Sequence, residues 1–501
     1  MSLTPRQPDR PFIWPDVIYE LQAQLAGWPH PVYIVGGAVR DAMLHRPLKD
    51  VDLATPIAGI KLARQIANQF DGDFFPLDPE RDVGRALIDT PEGRLLVDVA
   101  RIRGADLLAD LTERDFTMNA MAVDLKGDLN LVIDPLGGER DLVQKVLRRC
   151  SPTAIASDPV RALRAARQSV QFGLRFDPET QSDVRSAGLK LVASSPERLR
   201  DELIKLLSLP RSVAALRITD RLGLLDAIVP EIAPLHGLSP SLPYQRDGWE
   251  HTLAVVEHLT ALMAAFSYTR TDATAASFQY GMIVIQLDRF RLQLVKHLEF
   301  EWANERPHRA LLLLAGLLHD AGKPATAISQ DDGSWSWPMH AEQGARLARR
   351  RGDELRLSAD EINRLATIVE NHHAVWSLDP NDLRELHRFW RRCGAAGVDI
   401  CLLTLANYLG SVGEAIKQDE WLWLVDRVRL VLDAWFMRYE QVVEPVMLVD
   451  GSRLMQELLL KPGRQIGELL TLIREAQAAG EIATPAEALD LARKALPGLN
   501  L

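Results

Sequence analysis

Residues Tyr33–Thr55 read YIVGGAVRDAMLHRPLKDVDLAT. The stretch opens on a β-branched apolar run, meets Gly36 and Gly37, and continues into AVRDAML, which has helical spacing. It ends on DVDLAT, a second short strand candidate. In a strand, residues i and i+2 face the same side. Asp50 and Asp52 therefore project together, while Val51 and Leu53 point the other way, into a core. Two carboxylates held this close repel unless a cation sits between them. Hard oxygen ligands on a rigid strand suit Mg²⁺. Glycines let a backbone approach a phosphate closely, and a helix start favours an anion. The stretch thus predicts a strand, turn, helix and strand holding Mg²⁺ on Asp50 and Asp52. Gly36, Gly37 and Arg40 are the candidates for the phosphates that the ion would neutralise, and Asp41 is a further candidate for the nucleotide site.

The neighbouring sequence extends this unit. RALIDT and RLLVDVARI read as two more strands joined at the turn PEG, and IKLARQIANQF as a helix. LLVDVA offers Asp98 as a third carboxylate, useful where two ions sit roughly 3.5–4 Å apart. Beyond about residue 140 the strand signals fade. DPVRALRAARQSVQFGL and ERLRDELIKLLSL read as helices with one apolar and one basic face. Residues 140–221 hold sixteen Lys and Arg against nine Asp and Glu, which makes them the place for an anionic partner or an arginine-rich salt-bridged face. A proline-rich stretch near 230–244 marks a boundary. The expected fold class is α+β, with a mixed α/β head over 1–140 and helical regions over 141–230, 245–430 and 431–501.

At 501 residues the chain is too long for one core. A net charge of −10 argues against an indiscriminate nucleic-acid binder coated in basic charge. The three cysteines, Cys150, Cys393 and Cys401, form no CxxC pair, so thiolate zinc and a disulfide framework are not expected. No signal-peptide core and no bilayer-length apolar stretch is visible, so the expected setting is cytoplasmic, without a membrane partner.

Three further motifs follow in order: DLTERDFTMNAMAVD (Asp110–Asp124), DPLGGERDL (Asp134–Leu142) and SDPVRALRAARQSVQFGLRF (Ser157–Phe176). With VGGAVRD and KDVDLAT they resemble the class II tRNA nucleotidyltransferases, the bacterial CCA-adding enzyme and poly(A) polymerase family. The resemblance implies template-independent addition of C and A to tRNA from CTP and ATP, with no DNA partner. It implies Asp50, Asp52 and Asp98 as the catalytic carboxylates and Gly37 and Arg40 at the triphosphate. Arg114, Asp115 and Asn119 would shape the nucleotide site, and Asp158 and Arg161, with Arg164 beside them, would read the base edge. Ser157 stands where an acid is frequent, and Glu113 where a second arginine is common. Only VARIRGADLLA separates Asp98 from Asp110, where many CCA-adding members carry a longer loop linked to the change from CTP to ATP. Addition limited to CC is therefore a variant reading, and a poly(A) polymerase an alternative.

A second constellation lies at DGWEHTLAVV (His251), LLHDAGK (His319, Asp320, Lys323), WPMHAEQ (His340) and VENHHAV (His372, His373). It resembles the HD phosphohydrolase domain, whose imidazole and carboxylate ligands suit Mn, Ni, Fe or Zn. The closing aspartate of that pattern falls on Asn407, which predicts weak or absent hydrolase activity. A phosphohydrolase with a vestigial head is the alternative of another class. The last seventy residues resemble the helical tail of the same family.

Overall fold

The computed structural model describes residues 3–91, 93–238, 246–267, 278–332, 334–413 and 415–498. The backbone forms two units, Met1–Ser194 with Ile218–Ala227, and Ser195–Arg217 with Ile228–Leu501.

The first unit is built on a six-stranded sheet of order β3-β4-β5-β2-β1-β6. Its strands are β1 (Tyr33–Val35), β2 (Asp50–Thr55), β3 (Asp73–Asp78), β4 (Val83–Thr90), β5 (Gly93–Arg101) and β6 (Ala122–Asp124). β2 and β5 run parallel; every other pair is antiparallel. The four strands expected from the sequence form where expected, and Glu92 of the PEG turn lies outside the described residues. β3 and β6 leave no such pattern. β3 is an edge strand with mostly exposed side chains, and β6 spans three residues.

Helix α1 (Gly37–Met43) joins β1 to β2, and α2 (Gly59–Gln69) covers one face of the sheet. Val51 and Leu53 of β2, and Leu95, Val97 and Val99 of β5, are buried. Leu62, Ala63, Ile66 and Ala67 of α2 are buried too, each Leu or Ile contributing roughly 1.5–3 kcal/mol. The strand alternation leaves Asp50, Asp52 and Asp98 on the other face. Helices α3 (Leu107–Thr112) and α4 (Val160–Phe172) follow in the same unit. Among the described residues past 140 the regular elements are helices and two-residue ladders, such as Val146–Leu147 with Arg175–Phe176. Strands this short leave no alternation to read.

The second unit is helical. Its elements include α5 (Pro196–Leu207), α6 (Gly248–Phe266), α7 (Arg291–Leu298), α8 (His308–Leu318), α9 (His340–Glu354), α10 (Ala359–Glu370), α11 (Leu383–Cys393), α12 (Ala396–Val412) and α13 (Arg464–Ala478). Ala396 through Gly410 are all buried, so α12 is a central helix, enclosed on every side. It packs on α6 and α10; α8 packs on α6 and α10, and α10 on α9. Arg306 and Glu361 pair bidentately at 2.7 and 2.6 Å, both buried, and Glu361 also closes the capping box that starts α10. The tail has its own core around Leu454, Leu469 and Ile473, and packs on α11 with Arg384–Glu481 and Arg388–Glu475 pairs at 2.7 and 2.6 Å. Part of the proline-rich boundary, residues 239–244, lies outside the described residues. Among the described residues no single helix is long and apolar enough to cross a membrane.

Candidate functional site

β1 ends at Val35, and Gly36 takes φ 74°, ψ −132°, a conformation that L side chains rarely adopt. A Cβ at Gly36 would lie 2.7 Å from Arg114 Nη1 and 3.2 Å from Asp52 Oδ2. The glycine is required by the turn and by the charged groups packed over it. Asp52 stands directly across the parallel pair from Asp98. Asp98 accepts two hydrogen bonds from Arg85, its register partner on β4, at 2.7 and 2.8 Å. Burial pushes the Asp52 carboxyl up to about 6; Arg114 pulls it down, and Asp50 and Asp98 push it up. Three acids competing in this way favour a cation among them, and the chemistry of the donor set fits Mg²⁺. Arg85 escaped the sequence reading. The alternation of VGRALIDT puts it on the polar face, but its register with Asp98 appears only in the folded sheet.

Several of the remaining head residues form one connected network. Arg40 is only 7% exposed. Its Nε and Nη2 donate to Asp41 at 3.0 and 2.8 Å, its Nη1 donates to Asn119, and its guanidinium lies 4.3 Å from the centre of the Phe172 ring. Asn119 donates onward to Asp115 at 2.9 Å and Gln168 at 3.2 Å, and Arg164 donates to Asp115 at 3.1 Å. Burial pushes Asp115 up, but Arg164, Asn119 and the Phe116 amide together hold it below its usual value. Arg40, Asp41, Asn119, Asp115 and Arg164 thus run from the glycine turn to α4. Gln168 and Phe172, four and eight residues beyond Arg164 on α4, complete the network.

Arg161 donates to three carbonyls, those of Ala154 (2.9 Å), Glu113 (2.9 Å) and Arg114 (3.3 Å), with Asp158 at 3.6 Å. Position 113 takes part through its backbone, so glutamate there leaves this bond intact. Several arginines of the basic segment are paired within the unit: Arg148 with Asp141 and Asp177, Arg149 with Glu179 and Asp183.

In the second unit, His319 Nδ1 donates to the Gly316 carbonyl, His340 Nδ1 to that of Trp337 and His372 Nδ1 to that of Val369, each at 2.7 Å. A carbonyl only accepts, so each Nδ1 carries the proton and each Nε2 presents a bare lone pair. Asp320 lies among them. Its Oδ2 is 3.3 Å from His319 Nε2 and 3.4 Å from His251 Nε2; its Oδ1 is 3.7 Å from His340 Nε2 and 3.9 Å from His372 Nε2. Asp320 Oδ1 and His372 Nε2 are buried with no hydrogen-bond partner. Atoms that each sit about 2.1 Å from a shared ion show such separations.

His373 joins this group, its Nε2 3.2 Å from that of His340. Burial holds His251 and His373 down at about 4 and His372 well below its ordinary value, so these imidazoles are neutral at pH 7, the form that ligates. A Cβ at Gly322 would lie 2.1 Å from the His340 carbonyl, so only glycine lets α9 close on the His319–Asp320 corner. Asn407 lines the same cavity as His251, Asp320 and His373, an amide where the pattern expects a carboxylate. The donor set fits transition-metal ions.

The first centre has the form of a metal-dependent nucleotidyltransferase head, and the second that of an HD cluster. Residues 32–148 match the family described as the Poly A polymerase head domain, 173–235 the probable RNA and SrmB-binding site of polymerase A, and 248–390 the HD domain. Over 482 residues the chain is 31% identical to the A-adding tRNA nucleotidyltransferase of Deinococcus radiodurans, covering 94% of this chain and 97% of that one. It is 32% identical over 457 residues to the CC-adding tRNA nucleotidyltransferase of Geobacter sulfurreducens, covering 91% and 90%. A solved CCA-adding enzyme in complex with CTP has the same fold, with a TM-score of 0.58 at 19% identity over 100% of each chain. The chain belongs to the tRNA nucleotidyltransferase family, and its head is that of an enzyme.

Proposed function

We propose that the protein extends the 3′ end of tRNA, transferring CMP and AMP units from CTP and ATP. The observation that supports this most is the juxtaposition of Asp52 and Asp98 across one strand pair, beneath Gly36 and Arg114. Asp50 and Asp52 would hold Mg²⁺, with Asp98 as third carboxylate. When bound, the ions would supply charge neutralisation at the α-phosphate as the 3′-oxygen bonds to phosphorus and pyrophosphate leaves. Gly36 keeps the turn open for the phosphates, and the Arg40–Asn119–Asp115–Arg164 network fixes the wall at which Asp158 and Arg161 meet the base. Arg85 holds Asp98 in place. Gly36→Ala is expected to lower nucleotide incorporation by about 10²-fold, because the methyl displaces Asp52 and Arg114. Steady-state kinetics beside a circular dichroism spectrum check this.

A specific observation favours a restricted product. The link from β5 to α3 is Ile102–Asp106. Its Arg103 amide donates to Asp110, and Asp106 caps α3. So short and tethered a link has no room for the long loop of many CCA-adding members, which supports CC addition by this chain. The test uses tRNA transcripts ending before CCA, after C and after CC, with labelled CTP or ATP and Mg²⁺, read at single-nucleotide resolution. Two cytidines followed by one adenosine is the result expected of the main reading, and two cytidines with no adenosine that of the restricted one. A terminal A on the CC transcript overturns the restriction, ATP tails on every transcript point to a polymerase, and no incorporation removes the main reading. In the second unit the histidine cluster binds transition-metal ions, while Asn407 leaves phosphohydrolase activity weak.

A further inference from the structure

A third group of histidines and an acid lies in the second unit. His297 Nε2 and His308 Nε2 each sit 2.8 Å from Asp399 Oδ1, and Arg364 Nη1 donates to Asp399 Oδ2 at 2.9 Å. By residue type this is another metal triad, but its protons are placed the other way. Trp302 Nε1 donates to His308 Nδ1 at 3.2 Å. An indole N–H only donates, so His308 Nδ1 is bare and Nε2 carries the proton given to Asp399. At the HD cluster, carbonyls on Nδ1 free the Nε2 lone pairs; here the Nε2 that a metal needs is already protonated. Arg364 balances the buried Asp399 charge. His308 and Asp399 are fully enclosed, which would be costly if they served only to fill a core.

This network forms the floor of a cavity of about 710 Å³, within the range of small-molecule sites. Trp302, Phe300 and Phe436 give it aromatic walls. Phe300 is 50% exposed and stands edge-on to Trp302. Lys296 lies on the lining and makes no ion pair among the described residues, and Arg364 gives Nη1 to Asp399 while its guanidinium lies 5.9 Å from the centre of the Trp302 ring. Among the described residues of the lining Lys296 and Arg364 meet one acid, Asp360, and Arg364 is matched by Asp399, so Lys296 is the cation left beside the flat apolar rings. Stacking faces with nearby cations recognise a planar ring bearing an anion.

We propose that this cavity is a binding site for a nucleoside monophosphate, separate in its residues from both the head and the HD cluster. Its base would stack on Trp302, and its phosphate would meet Lys296 and Arg364. The test is calorimetric titration of the full chain with CMP and AMP, and with cytidine and adenosine. CMP or AMP should bind saturably, and the nucleosides at least about tenfold more weakly. Lys296→Gln, an exposed position, should weaken nucleotide binding about tenfold, and Trp302→Ala at least as much, while incorporation into tRNA stays within about twofold of wild type. Nucleotide binding unchanged in both variants overturns the proposal, as does equal affinity for nucleosides. A stoichiometric transition-metal ion lost on His297→Ala but kept on Asp320→Ala would make this a metal site and overturn it as well.

Discussion

Asp52→Asn is expected to reduce nucleotide incorporation by about 10³-fold or more, with the fold intact. The substitution keeps the shape and removes the charge. Losing a ligand that neutralises a reacting phosphate forfeits several kcal/mol of transition-state stabilisation, and each ~1.4 kcal/mol is tenfold in rate. The same residue gives the metal-free protein a pH signature. The Asp52 carboxyl stands at about 6 in the fold against 3.8 for an ordinary aspartate. A raised acid costs nothing below pH 3.8, where both states are protonated. The cost grows as pH rises to 6, because the unfolded chain releases the proton first, and is constant above that. In EDTA, then, Asp52→Asn should unfold at a higher temperature than wild type at pH 7 and at the same temperature near pH 3.5. Mg²⁺ affinity of the wild type should fall as pH drops below 6, where protons compete for the carboxylate. Full incorporation activity in the Asn variant would refute the assignment; equal thermal midpoints at pH 7 would refute the electrostatic account.

Asp320→Ala is expected to strip the second unit of tightly held transition metal, lowering affinity by roughly 10³-fold or more, while incorporation by the head stays within about twofold. Asp320 turns one oxygen to His319 and His251 and the other to His340 and His372, so its removal takes a ligand from both sides of the cluster. Elemental analysis after dialysis, with calorimetric titration of Mn²⁺ or Ni²⁺, measures the loss. Asn407→Asp is the converse: restoring the missing carboxylate should tighten metal binding and raise hydrolysis of a 2′,3′-cyclic phosphate. Wild-type metal content in the Asp320→Ala protein would show that the histidines alone hold the ion.

Much of the head is legible in the sequence, because its chemistry is local. Asp50 and Asp52 share a strand, Gly36 and Gly37 share a turn, and period two alone says which side faces the core. Arg85, Gln168 and Phe172 were not legible, since their partners Asp98, Asn119 and Arg40 come from other elements and the pairing is a matter of register and packing. The HD histidines were found by motif, but which nitrogen of each ring is bare depends on backbone carbonyls that no sequence displays. That same hidden feature separates His319 from His308, two residues of one type at the two ends of one helix.

That helix is α8, which runs from His308 to Leu318 with His319 as its cap. One end anchors the Trp302–His308–Asp399 network and the other delivers His319 and Asp320. One inserted residue would rotate the two ends against each other by about 100°. No such change can leave both histidines aimed at their partners. The span of α8 therefore acts as a fixed ruler, and its length should tolerate no insertion or deletion.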